Sequence, residues 1–138
     1  NPYSHASPFA RIMENNLATS LTQFGIRTMN DHQKKQATRY NVNVIPINKS
    51  PRDVELKFFE PVYISIDLDG LDPAYAPGVS HPEPGGLSTR DIINFISNIQ
   101  GEIIGADIVE YNPYKDINEI TAITAGKLLK ELMGKIIE

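Results

Sequence analysis

Apolar, strand-like segments alternate with helical ones along this chain, and no two of them are joined by a hairpin signal. Parallel strands need a long crossover between them, usually a helix. The alternation therefore predicts an α/β fold with a mainly parallel sheet. Residues 7–14 read as a helix, with Pro8 in the first turn and Phe9, Ile12 and Met13 on one face. Residues 20–27, with Leu21, Phe24 and Ile26, read as a short strand, and the polar residues 30–39 as an exposed helix. Residues 41–47, with Val42, Val44 and Ile45, read as a second strand. A helix is expected over residues 51–59, with Val54, Leu56, Phe58 and Phe59 facing inward. The clearest strand is Val62-Tyr63-Ile64-Ser65-Ile66, which runs into Asp67. A Pro- and Gly-rich loop from Gly70 to Leu87 follows, and Ser88 then caps a helix with Asp91 in its first turn. Ile92, Ile93, Phe95, Ile96 and Ile99 form that helix's apolar face. A strand over 102–110 and a helix over about 118–137 complete the pattern. At 138 residues the whole, residues 1–138, is expected to be a single domain.

Composition removes several function classes. No cysteine is present, which excludes disulfides, thiol catalysis and cysteine-ligated zinc. Seventeen acidic and 13 basic residues give a net charge of −4, so no general attraction to a phosphate backbone is expected and nucleic acid is not an anticipated partner. No apolar run approaches the ~20 residues of a membrane span, and no basic-then-apolar leader opens the chain. A cytoplasmic home and no membrane partner are the simplest expectations.

In open parallel sheets the ligand crevice lies at the carboxyl ends of the strands. Asp67 and Asp69 end one apolar strand and Glu110 ends another. Read as strand residues two apart, Asp67 and Asp69 project to one face, roughly 7 Å apart. Two carboxylates leaving a buried strand together repel each other and lose hydration. A hard divalent metal with oxygen ligands answers both costs; a pair of solvated or capping loop acids is the plainer alternative. Asp72-Pro73 reads as a turn. Asp107 falls inside a strand and should have a hydrogen-bonded partner there. Glu110 can bind a cationic substrate group by charge-assisted hydrogen bonds, or pair with a nearby Lys or Arg. His5, just before the first helix, is open to a proton-shuttle role or a capping one. His81 reads as a supporting or exposed loop residue, and His32 as solvated.

Three motifs, in order, resemble the ureohydrolases, the family of arginases and agmatinases. Ser65-Ile66-Asp67-Leu68-Asp69-Gly70-Leu71-Asp72-Pro73, followed by Ala76-Pro77-Gly78 and Pro84-Gly85-Gly86-Leu87-Ser88, is similar to that family's second metal-binding signature. Ser4-His5-Ala6-Ser7-Pro8-Phe9-Ala10-Arg11-Ile12 resembles the segment after its first signature, and Gly105–Pro113 its guanidinium-site strand. The resemblance is firm over residues 3–13, 63–90 and 104–133 and weak over about 28–60. The Ser80-His81-x-Glu83-Pro84 variant looks most like the agmatinase-like branch that includes plant arginases.

The resemblance implies a three-layer α/β/α fold and hydrolysis of a guanidino group with a pair of manganese ions. It implies that Asp67 bridges the metals, Asp69 binds one of them, Glu110 holds the substrate guanidinium, and His5 passes a proton to the leaving amine. Urea would leave with putrescine from agmatine, the favoured substrate, or with ornithine from arginine. The family pattern also needs a further histidine ligand and an Asp-x-His-x-Asp run upstream of His5, and this chain has neither. Two carboxylates cannot alone hold two divalent ions. The chain is thus expected to be the C-terminal portion of a ureohydrolase domain, incomplete at the N-terminus and inactive by itself. A sheet cut in this way exposes an edge and apolar surface, so a homo-oligomer is expected. Two alternatives remain at this level. One is a degenerate family member serving as a subunit or binding module. The other is a phosphatase of the haloacid-dehalogenase type, whose opening motif Asp67-Leu68-Asp69-Gly70 also resembles; Leu71-Asp72-Pro73 departs from it.

Overall fold

A computed structural model describes Ser4, residues 6–50, Val54 and residues 56–138. It contains two compact units, residues 1–47 and 48–138. The first is built as helix, strand, helix, strand: α1 (Pro8–Glu14), β1 (Thr22–Ile26), α2 (Asp31–Arg39) and β2 (Asn43–Pro46). β1 and β2 pair in parallel across the α2 crossover. Gly25, at φ 78°, makes the bulge that shifts their register after Phe24. A capping box starts α2: Gln33 N–H donates to Asn30 Oδ1 at 2.9 Å, and Asn30 N–H donates to Gln33 Oε1 at 2.8 Å. None of the residues of α2 is buried, as its polar sequence predicts.

The second unit repeats the scheme with longer elements. β3 (Val62–Asp67) leads through a 3-10 turn, Leu68–Gly70, and the long loop into α3 (Thr89–Asn98), then β4 (Ile103–Val109) and α4 (Ile120–Ile137). β3 and β4 are parallel, with Asp67 opposite Val109, so both strands deliver their carboxyl ends to one place. α3 and α4 pack on each other and α4 packs on β4. Ile64 and Ile66 from β3, Ile92 and Ile96 from α3, and Leu128 and Leu132 from α4 are buried together with Leu68 and Leu71. The Ser88 cap is formed as expected: Asp91 N–H donates to Ser88 Oγ at 3.1 Å and Ser88 N–H donates to Asp91 Oδ2 at 2.9 Å.

The α/β class and the parallel pairing agree with the sequence reading. The helix expected over 51–59 does not: residues 51–53 and Glu55 lie outside the described residues, and residues 56–59 are not helical. Leu56 and Phe58 instead sandwich a parallel bridge between Lys57 and Gln100. Gln100 N–H donates to the Leu56 carbonyl, and Phe58 N–H to the Gln100 carbonyl, each at 2.8 Å. Leu56 is buried, whereas Phe59 is 90% exposed. No helix of the described residues is long and apolar enough to cross a membrane.

Candidate metal and guanidinium site

β3 is apolar up to Ile66 and then changes character, and the chain turns as soon as it meets its first acid. Asp67 Oδ1 accepts the Asp69 N–H at 2.8 Å, so Asp67 caps the 3-10 turn that carries Asp69. The two acids therefore do not sit two apart on a strand, as the sequence reading had it. Asp67 ends β3 in an exposed position, while Asp69, on the 3-10 turn, is half-buried with a buried Oδ1.

Asp69 then meets two residues from other loops. Ligand atoms of Asp69, His81 and Glu110 all lie within 4.8 Å of one another. His81 Nδ1 is 3.5 Å from Asp69 Oδ2. Glu110 follows the last residue of β4 at φ 67°, a left-handed conformation that turns the chain sharply at the strand end. The structure thus gathers Asp69 and Glu110 from the sequence-derived candidates, and Asp67 is not one of the trio. It adds His81, which sequence reasoning placed only as a supporting or exposed loop residue. No local sequence signal marks it: the long-range loop pinning described next brings residue 81 to the strand ends. His5 lies outside the described residues.

The long loop is held by its own polar residues. Asp72, read from the sequence as a turn residue, accepts from the N–H groups of Ala74 at 2.9 Å, Gly85 at 2.7 Å and Gly86 at 3.3 Å. Its turn thereby closes the far end of the loop. Asp72 N–H donates to the Leu87 carbonyl at 2.9 Å and Leu87 N–H to the Gly70 carbonyl at 3.0 Å. Gly86 is required at this crossing: a Cβ there would stand 2.4 Å from the Asp72 nitrogen. The middle of the loop is tied to the segment after Glu110, through a Val79–Tyr111 bridge and Asn112 N–H donating to the Gly78 carbonyl at 2.8 Å.

That segment is anchored in turn at α4. Asp116 Oδ1 accepts from the N–H groups of Ile117 and Thr121, each at 2.9 Å, and Oδ2 accepts from Ala122 N–H at 3.0 Å. Burial pushes the Asp116 carboxyl up, but these donors and the Thr121 hydroxyl outweigh it and hold the group at about 2. The Thr121 hydroxyl also accepts from Gly78 N–H at 2.7 Å and is fully buried. Asp107, half-buried on β4, has the expected partners: Ser65 Oγ donates to it at 2.6 Å and the Tyr63 hydroxyl at 3.1 Å.

Two carboxylates and an imidazole suit a divalent cation such as manganese, and a buried Asp69 oxygen favours positive charge beside it. Three donors within 4.8 Å can begin to coordinate one ion; they do not make up a two-ion site among the described residues.

Parallel strands carry acids to a shared end of an α/β frame, next to a loop pinned by Asp72 and Gly86. The chain belongs to the arginase family, whose profile it matches over residues 1–134. It is 50% identical to the mitochondrial arginase of Medicago truncatula over 99% of this chain and 43% of that protein. The solved arginase from Medicago truncatula superposes with a TM-score of 0.91 at 50% identity, over 99% of this chain and 46% of that one. The chain therefore spans less than half the length of these relatives. An arginase-like protein of T. brucei, a triple mutant solved with Mn2+ bound, superposes with a TM-score of 0.90 at 29% identity, over 100% of this chain and 48% of that one. The cytoplasmic expectation is corrected by these findings. The Medicago relative is named mitochondrial, and a 48% identical Arabidopsis thaliana relative, matched over 99% of this chain and 42% of its own length, is named chloroplastic/mitochondrial. A leader that is not legible in these 138 residues cannot argue for the cytoplasm.

Proposed function

We propose that this chain is the C-terminal portion of a single manganese-dependent ureohydrolase domain that releases urea from a guanidino substrate in an organelle. The observation that carries the reading is the meeting of Asp69, His81 and Glu110 within 4.8 Å at the ends of β3 and β4. Asp69 would hold a manganese ion, and Asp67, two residues before it, would be a further carboxylate ligand, as the family resemblance implies. When bound, the metal supplies Lewis acidity that makes water nucleophilic near neutral pH.

Glu110 has the chemistry to receive the guanidinium, since a carboxylate accepts two N–H bonds from that planar cation. In this reading Glu110 takes the guanidinium rather than the metal, and its place beside Asp69 would bring the cation next to the ion and orient its carbon for attack. The amine must leave with a proton, and His5 is the residue assigned to deliver it, as the family resemblance implies. Arginine is the first candidate substrate because the relatives at 48–50% identity are named arginases. Agmatine, favoured by the sequence motifs, is the second. A homo-oligomer of the full-length protein is part of the same proposal.

The test is urea release by the full-length protein with and without manganese, on arginine and on agmatine. The account expects urea from arginine, loss of at least 100-fold on chelation, and recovery on adding manganese. No urea from either substrate in manganese overturns it.

A further inference from the structure

His81 is the most exposed of the three clustered residues, with 72% of its side chain accessible. An exposed imidazole on a Pro- and Gly-rich loop should sample many positions, yet the structure holds its neighbour Ser80 at both oxygens. Asn112 Nδ2 donates to Ser80 Oγ at 3.1 Å, and Lys115 Nζ donates to the Ser80 carbonyl at 2.9 Å. Both donors follow Glu110 within five residues, on the segment that Asp116 anchors to α4. Ser80 is thus fastened to the strand end that carries Glu110, and His81 is the next residue in the chain.

We propose that Asn112 and Lys115 act as a clasp on Ser80 that positions His81 against Asp69. The inference rests on the reading of Asp69 as a metal-side residue. In it Lys115 is a positioning residue: it touches neither substrate nor metal and acts through the Ser80 backbone. The clasp ties the loop bearing His81 to the loop bearing Glu110, so the metal side and the guanidinium side of the site keep a fixed separation. A cation is well placed for this task, because an ammonium-to-carbonyl bond is charge-assisted and survives partial exposure better than a neutral one.

The experiment is manganese titration of the full-length protein by calorimetry, with wild type, H81A, K115M, K115R and the H81A/K115M double variant. Outer-sphere support of a metal site is worth roughly 10–100-fold in affinity. K115M is expected to weaken binding about 10-fold. K115R, which keeps a cationic donor, is expected to stay within about twofold of wild type. Because Lys115 acts only through His81, the double variant is expected to bind no more weakly than H81A alone. Melting temperatures of the exposed Lys115 variants should match wild type, and N112A serves as a second probe of the same clasp.

K115M binding like wild type, or losses that multiply in the double variant, overturn the clasp while leaving the reading of Asp69 intact. A wild-type protein that binds no manganese overturns both.

Discussion

Glu110 sits at φ 67°, where a side chain clashes with its own backbone at a cost of about 1–2 kcal/mol. Replacing it with glycine removes that cost and the carboxylate together. Glu110→Gly is therefore expected to leave the thermal midpoint unchanged or raised while urea release falls by roughly 100-fold or more. A lowered midpoint with retained activity would make Glu110 a structural residue instead. Asp116 offers a second residue-scale test. Its folded value of about 2 lies below the ordinary 3.8, so its contribution to stability is fully present above about pH 4 and fades as pH falls towards 2. Asp116→Asn is expected to lower stability at pH 7 and to flatten the loss between pH 4 and pH 2, as read by urea denaturation across that range. The need of Asp107 for a partner was legible in the sequence because a strand position implies burial. The place of His81 was not, because it depends on hydrogen bonds accepted by the Asp72 carboxylate and donated by Asn112 and Lys115 that no local pattern encodes.

Elements with local signals were the most readable. Ser88 and Asp91 stand three apart before an apolar stripe, and α3 begins there with both bonds of the capping box formed. Ser88→Ala is expected to cost about 1 kcal/mol in chemical denaturation. Gly86→Ala should cost more, about 1–3 kcal/mol, because backbone at 2.4 Å cannot rotate away from the new methyl group. Residues 56–59 were misread as helical because Leu56, Phe58 and Phe59 give an apolar cluster without a decisive period. Their backbone bonds go instead to Gln100, more than forty positions away, and a long-range bridge leaves no mark in a short window. The expectation that Asp67 and Asp69 share a strand face failed for a related reason. Extrapolating the strand through Asp67 ignored the tendency of an aspartate to accept a backbone N–H two residues on, which ends the strand and starts the turn.

For the whole molecule, the alternation of apolar and helical segments was enough for the α/β class, and motif order was enough for the family. The substrate was less legible, since the groups that read the far end of a guanidino compound are not among those identified in these 138 residues. Uncovered apolar side chains on the second unit, such as Ile104 at 63% exposure and Ile137 at 80%, ask for a covering surface. The 138-residue chain alone is accordingly expected to self-associate in light scattering; a monodisperse species of single-chain mass with a cooperative melt would contradict that. The central claim is that the meeting point of Asp69, His81 and Glu110 is where guanidine hydrolysis occurs. It is tested most directly by kcat/KM for urea release from arginine by the full-length Asp69→Asn protein in saturating manganese. The account predicts a fall of at least about 100-fold with the circular-dichroism spectrum unchanged; a value within twofold of wild type would contradict it.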